Sequence, residues 1–145
     1  MTAIAEITIR PAVETDKRTI HQMIRDESLD PTSRDWRNFL IAEADGQIVG
    51  IGQIKPYPDC QELGSLVVLP DYRNRGVAGL LINALEAKAN RPLYLVCESK
   101  MEPYYTRFGY QTIPFREAPR TLKLKLAASL PFRLFGVRVI AMRKG

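Results

Sequence analysis

Residues 62–90, ELGSLVVLPDYRNRGVAGLLINALEAKAN, constrain this chain more than any other stretch. Leu63, Leu66, Val67, Val68 and Leu69 form the short apolar run that a buried strand needs. Pro70-Asp71 breaks it, and Arg73-Asn74-Arg75-Gly76-Val77-Ala78-Gly79 opens a helix. On that helix Val77, Leu80, Leu81, Ala84 and Leu85 recur at helical spacing and are expected to face inward, with Lys88 at the edge. A strand, a basic glycine-bearing loop and a helix start, in that order, make an anion trap. The first-turn N–H groups have no intrahelical partner, and the helix dipole adds positive potential. Gly76 and Ala78 leave the backbone approachable, and Arg73 and Arg75 supply charge for phosphate oxygens.

Length and composition narrow the rest. A chain of 145 residues, 46% hydrophobic and 26% charged, suits a single domain over residues 1–145. No apolar run approaches the roughly 18 residues of a membrane span. The opening MTAIAEITIR has no long apolar centre, so no signal peptide, no membrane partner and a cytoplasmic setting are expected. Cys60 and Cys97 lack metal-ligand spacing and are expected to be reduced, Cys97 as a small buried hydrophobe. His21 is the lone histidine; no metal site or Ser-His-Asp triad is expected, and it reads as a polar position on the first helix. The net charge of +5 fits a polyanionic ligand. Without basic–aromatic interleaving, nucleic acid is not the expected partner.

In chain order, residues 7–10 read as a strand closed by Pro11, followed by a helix presenting Ile20, Met23 and Ile24. Asp30-Pro31 signals a second, short helix that carries Trp36, either as a core anchor or as a cleft wall. Residues 39–44 and 47–54 form a hairpin across Asp45-Gly46. After residues 62–90, the run 93–97 is a buried strand, parallel to the earlier one if the helix between them is a right-handed crossover. Residues 101–108 make a short helix stopped by Gly109, and 110–114 begin a strand. Leu122, Leu124 and Leu126 alternate with Lys123 and Lys125 as a strand would, yet Leu122, Leu126 and Leu130 also suit a helix, which Pro119 near the start favours; 137–142 close the chain as a strand. The expected class is α/β (α+β), with a mixed, partly antiparallel sheet.

Arg73-x-x-Gly76-x-Ala78, placed after a strand ending in Pro70-Asp71-Tyr72, resembles the acyl-CoA signature of the GNAT superfamily of N-acetyltransferases. Independently, Tyr104-Tyr105-Thr106-Arg107-Phe108-Gly109-Tyr110 is similar to that family's F-Y-x-x-x-G-F segment, with Tyr110 for the last Phe. The two matches span residues 62–110. The resemblance implies about six to seven strands flanked by about four helices, with acetyl-CoA as cosubstrate in a splay between the fourth and fifth strands. It implies cofactor contacts from Leu66, Val67 and Val68, whose edge would pair with the pantetheine arm, and from the pyrophosphate loop Arg73, Asn74, Arg75, Gly76, Val77, Ala78 and Gly79. Glu98 stands where many relatives carry a cofactor-binding Asn, a departure that puts this contact in question.

The chemistry of acetyl transfer then assigns roles. The resemblance points to Tyr105 as the group that meets the departing thiolate. For a phenol near pKa 10, full protonation of a thiolate near 8.5 is uphill by roughly 2 kcal/mol, so hydrogen bonding competes with proton transfer. Glu62 stands where one branch of the family carries a general base. It is four strand residues, roughly 13 Å, from Leu66, and would act through water. Glu98 is the second candidate, and the alternative for Glu62 is a strand-end carboxylate in solvent or paired with an arginine. A backbone N–H of residues 66–68 would meet the oxyanion. The expected activity is transfer of acetyl to a primary amine by direct attack in a ternary complex, with a small-molecule acceptor such as an amino acid. Protein amines as acceptors, a silent CoA-binding module and a homodimer stay open.

Overall fold

A computed structural model describes residues 6–145, which fall into two compact units. The first comprises residues up to 55 together with 64–88. It begins with β1 (Thr8–Pro11), β2 (Phe39–Ala44) and β3 (Gln47–Pro56). β1 pairs antiparallel with β2 from Thr8↔Glu43 to Pro11↔Leu40. β2 turns into antiparallel β3 across Asp45 and Gly46, whose φ values of 53° and 72° are those a two-residue hairpin requires. α1 (Lys17–Asp26) buries Ile20, Met23 and Ile24, as its spacing dictates. They meet Phe39, Ile41, Ile51 and Val67 in one core, and Trp36 packs against it, supporting the anchor role.

Two expectations fail here. The segment after Asp30-Pro31 is not a helix; its regular part is a 3-10 turn over Trp36–Asn38, capped by Asp35. The Asp30 carboxylate instead accepts hydrogen bonds from the Thr32 N–H and hydroxyl. A short polar side chain that bonds the backbone two residues on holds a turn at the expense of a helix. α2 (Val77–Lys88) follows the glycine turn as expected, yet Leu80 is 45% exposed and Ile82 fully buried. Its inward stripe runs through Val77, Leu81, Ile82 and Leu85, shifted round the helix because the face against β1 and β2 is set by tertiary packing.

The second unit comprises residues 56–63 and 89–145. A turn in which Cys60 O accepts the Tyr57 N–H leads into β4 (Gln61–Val68). β4 runs parallel to β5 (Leu93–Glu98) through Glu62↔Tyr94 and Leu63↔Leu95. β7 (Val139–Lys144) pairs antiparallel with β5 and with β6 (Gln111–Ile113). α3 (Glu102–Thr106) precedes β6 after a Gly109 turn at φ 93°. α4 (Arg120–Ala128) stands between β6 and β7, confirming the helical reading of the Leu-Lys alternation. Leu122 and Leu126 sink into a core with Ile113, Ala118 and Ala141, whereas Leu130 is 51% exposed. In all there are seven strands, mainly antiparallel, and four α-helices among the described residues, the expected mixed α+β class.

Candidate active site

In the first unit, the strand–loop–helix element takes the form its sequence requires. Asn74 and Gly76 both adopt left-handed φ, 63° and 81°, which turns the chain into α2 within a few residues. A Cβ on Gly76 would meet nothing within 4 Å, so the space beside its backbone is open. The first intrahelical bond runs from the Leu80 N–H to Gly76 O at 3.1 Å, which leaves the N–H groups of the first turn, Val77, Ala78 and Gly79, facing the loop without an intrahelical acceptor. Val77 anchors the turn by full burial. The arginines divide their work. Arg73 folds back on β4, its Nε donating to Val68 O at 2.9 Å and its guanidinium 3.2 Å from Glu27. Arg75 is exposed and lies over the Tyr72 ring at 5.5 Å, available to a ligand. Arg73 therefore fastens the loop, whereas Arg75 has no ion pair among the described residues.

β4 is irregular next to Leu66. Ser65 has φ 51°, a left-handed value in the middle of a strand. A Cβ on Gly64 would come 2.8 Å from Lys55 Cε, while Ser65 Oγ accepts from Gln53 Nε2 at 2.8 Å. Gln53 and Lys55 alternate onto one face of β3, so two consecutive β4 residues look the same way. That is the signature of a bulge, which re-aims the following peptide groups and costs of order 1 kcal/mol or more at a non-glycine residue. Leu66 and Val68 are half-buried and Val67 is in the core. Sequence reasoning placed the strand and missed the bulge; a serine with positive φ leaves no signal in the sequence.

Glu62, Glu98 and Tyr105 belong to the second unit. Glu62 is 4% exposed. Its Oε1 accepts from the Tyr57 hydroxyl at 3.1 Å and from Lys125 Nζ at 2.8 Å. Burial alone would lower the Lys125 pKa, but the hydrogen bond and charge of Glu62 outweigh it and hold the ammonium well above its ordinary range. Glu62 is thus neither in solvent nor paired with an arginine, but ion-paired with a lysine in the interior. Tyr57 and Lys125 are the residues sequence reasoning missed; no local pattern links positions 63 residues apart.

Glu98 ends β5, exposed and 3.1 Å from Lys100. Tyr105 sits on α3, its ring edge-on to Tyr104 at 5.2 Å and to Tyr110 at 6.3 Å. Burial, reinforced by Cys97 and Tyr104, pushes its phenol well above the ordinary tyrosine value. A proton held that firmly is donated as a hydrogen bond more readily than it is lost. Burial likewise pushes the Cys60 thiol up to about 12 and the Cys97 thiol up to about 11, so neither is a thiolate nucleophile near neutrality. Among the described residues no group of His, Cys, Asp and Glu could hold a metal ion.

The fold is a mixed α+β sheet with a glycine turn ahead of α2, and likeness to known proteins shows its family. The model of the acetyltransferase (GNAT) domain matches residues 35–112, and the chain belongs to that family. An uncharacterized N-acetyltransferase of Chlorobaculum tepidum is 30% identical over 92 residues, 59% of this chain and 57% of its own length. The N-acetylglutamate synthase of Neisseria gonorrhoeae, solved with coenzyme A and N-acetyl-glutamate, superposes at TM-score 0.73 and 22% identity over 99% of this chain and 36% of its own. Rv2747 of Mycobacterium tuberculosis, solved with CoA and NLQ, superposes at TM-score 0.75 and 17% identity over 94% of this chain and 98% of its own. The chain therefore spans just over half of the curated relative and about a third of the synthase.

Proposed function

We propose that residues 1–145 form one N-acetyltransferase domain that moves the acetyl group of acetyl-CoA to a primary amine by direct attack in a ternary complex. The observation that carries this reading is the turn at Gly76. Left-handed backbone at Asn74 and Gly76, open space at the Gly76 Cβ and a helix start behind it fit a pyrophosphate. Arg75 supplies an exposed cation, with Arg73 and Asn74 shaping the loop and Val77, Ala78 and Gly79 offering N–H groups. The peptide groups of Leu66, Val67 and Val68, re-aimed by the Ser65 bulge, are suited to pair with the pantetheine arm and to meet the oxyanion.

Tyr105 gives its hydroxyl proton as a hydrogen bond to sulfur as the C–S bond breaks. Glu62, reached through water, accepts the amine proton only after yielding a lone pair now shared with Tyr57 and Lys125. Glu98, exposed at the end of β5, takes the cofactor contact made by Asn in many relatives. Protonated Cys60 and Cys97 favour direct attack over an acetyl-cysteine intermediate. The neighbours solved with N-acetyl-glutamate and with CoA support a small-molecule acceptor such as an amino acid, and reduced cysteines suit the cytoplasm. Thiol release from acetyl-CoA, followed across a panel of amino acids, polyamines and peptides, tests the reading. Turnover with amino acids supports it; tight CoA binding with no turnover on any acceptor overturns it.

A further inference from the structure

The connection between β6 and β7 carries an uncovered apolar surface. Phe115, Leu124, Leu130, Phe132, Leu134 and Phe135 are 54%, 65%, 51%, 56%, 88% and 82% exposed. They lie on α4 and on the two 3-10 turns beside it, Phe115–Glu117 and Leu130–Phe135. Phe115 and Leu130 line one groove of about 530 Å³ that also touches Arg133 and Arg138. Large apolar side chains set together and left in water mark a contact surface.

Charge says what it contacts. Residues 115–138 hold six Lys and Arg against the single Glu117, and with Lys125 paired to Glu62 a surplus remains, five cations against that one acid. Glu117 is itself engaged by Arg143, 3.9 Å away. Among the described residues Arg116, Arg120, Arg133 and Arg138 have no ion-pair partner, and all four are exposed. A symmetric contact with a second copy would set this surplus against itself. The cores of protein interfaces are depleted in charge, whereas here cations alternate with the apolar groups themselves, as in Lys123-Leu124 and Phe132-Arg133-Leu134. That alternation fits a plane where phenyl and leucyl groups enter a hydrocarbon boundary and long cationic side chains reach back to phosphates.

We propose that this surface docks the protein on an anionic lipid bilayer, with the turn Leu130–Phe135 entering the acyl boundary and Arg116, Arg120, Arg133 and Arg138 at the phosphate level. No helix among the described residues is long and apolar enough to cross a membrane, so the contact is peripheral. It is independent of the acetyltransferase reading.

The test is co-sedimentation of the full chain with vesicles of phosphatidylcholine containing phosphatidylglycerol, against vesicles of phosphatidylcholine alone. Binding is expected only with the anionic lipid, weakening as salt is raised. Leu134→Ser/Phe135→Ser should weaken it about tenfold or more, with unchanged thermal unfolding because both side chains lie outside the core. Arg133→Glu, at an exposed position, is the second variant and should weaken it as well. The proposal falls if anionic vesicles leave the protein in solution, or if binding survives both variants. It also falls if sedimentation velocity shows a dimer that the double substitution splits.

Discussion

Lys125 on α4 places its ammonium 2.8 Å from Glu62 at the start of β4, and the pair is sealed by the Tyr57 hydroxyl. A carboxylate expected at an open strand end is instead a buried junction between two elements far apart in sequence. Removing Lys125 would leave a nearly buried charge uncompensated. Lys125→Met is therefore expected to cost about 3 kcal/mol, and Glu62→Gln in the same chain to restore part of it. Urea unfolding of the single and double variants measures the coupling. The activity of Glu62→Gln separates two roles. A proton-accepting Glu62 predicts a loss greatest near neutral pH and smaller as the acceptor amine deprotonates unaided. A profile lowered uniformly at every pH assigns Glu62 to positioning alone.

Tyr105→Phe keeps the ring contacts with Tyr104 and Tyr110 and deletes only the donor. A bond formed to the developing thiolate is absent in the ground state, so kcat and kcat/KM should fall together, by about 100-fold. CoA affinity should hold, and Tyr104→Phe should be nearly silent. Because burial raises the Tyr105 phenol above its ordinary value of 10.0, its deprotonation should not shape the rate below pH 10. Single-turnover kinetics in both variants check the assignment.

Gly76→Ala and Gly76→Asp separate backbone from charge. At φ 81°, with nothing near the added Cβ, alanine pays only the left-handed conformation, about 1 kcal/mol of stability. Aspartate adds a negative charge where the pyrophosphate should lie and is expected to abolish CoA binding in a folded protein. Calorimetric titration reads the difference; wild-type affinity in Gly76→Asp would sink the loop assignment.

Asp16, 7% exposed, accepts from Arg10 at 2.8 Å and from the Val13 N–H at 2.8 Å. The Arg10 hydrogen bond holds its carboxyl below the ordinary 3.8, against the opposing effect of burial. A depressed folded-state value stabilises the fold above that ordinary pKa, and the contribution is lost as pH falls through the folded-state value. Asp16→Asn should cost about 2 kcal/mol at neutral pH and show a shallower loss of stability in acid. Denaturant midpoints at pH 7 and pH 3 give both quantities.

The elements were legible in the sequence wherever the signal was local. Asp45-Gly46 determined a hairpin because those residues tolerate left-handed φ, and Gly109 stopped a helix for the same reason. Pro70-Asp71 and Gly76 fixed the turn from strand to helix and, with it, the family. Side-chain period placed α1, α2 and α4 without any knowledge of what they pack against. What lay across the chain was decided only in three dimensions. The Asp30 turn displaced a helix because a side chain outcompeted the backbone, and the inward face of α2 followed its partners and exposed Leu80. The bulge at Ser65 depends on what β3 presents to β4. Glu62 carries no mark in its own neighbourhood of Lys125, since burial and ion pairing belong to the space between residues and local pattern belongs to the chain.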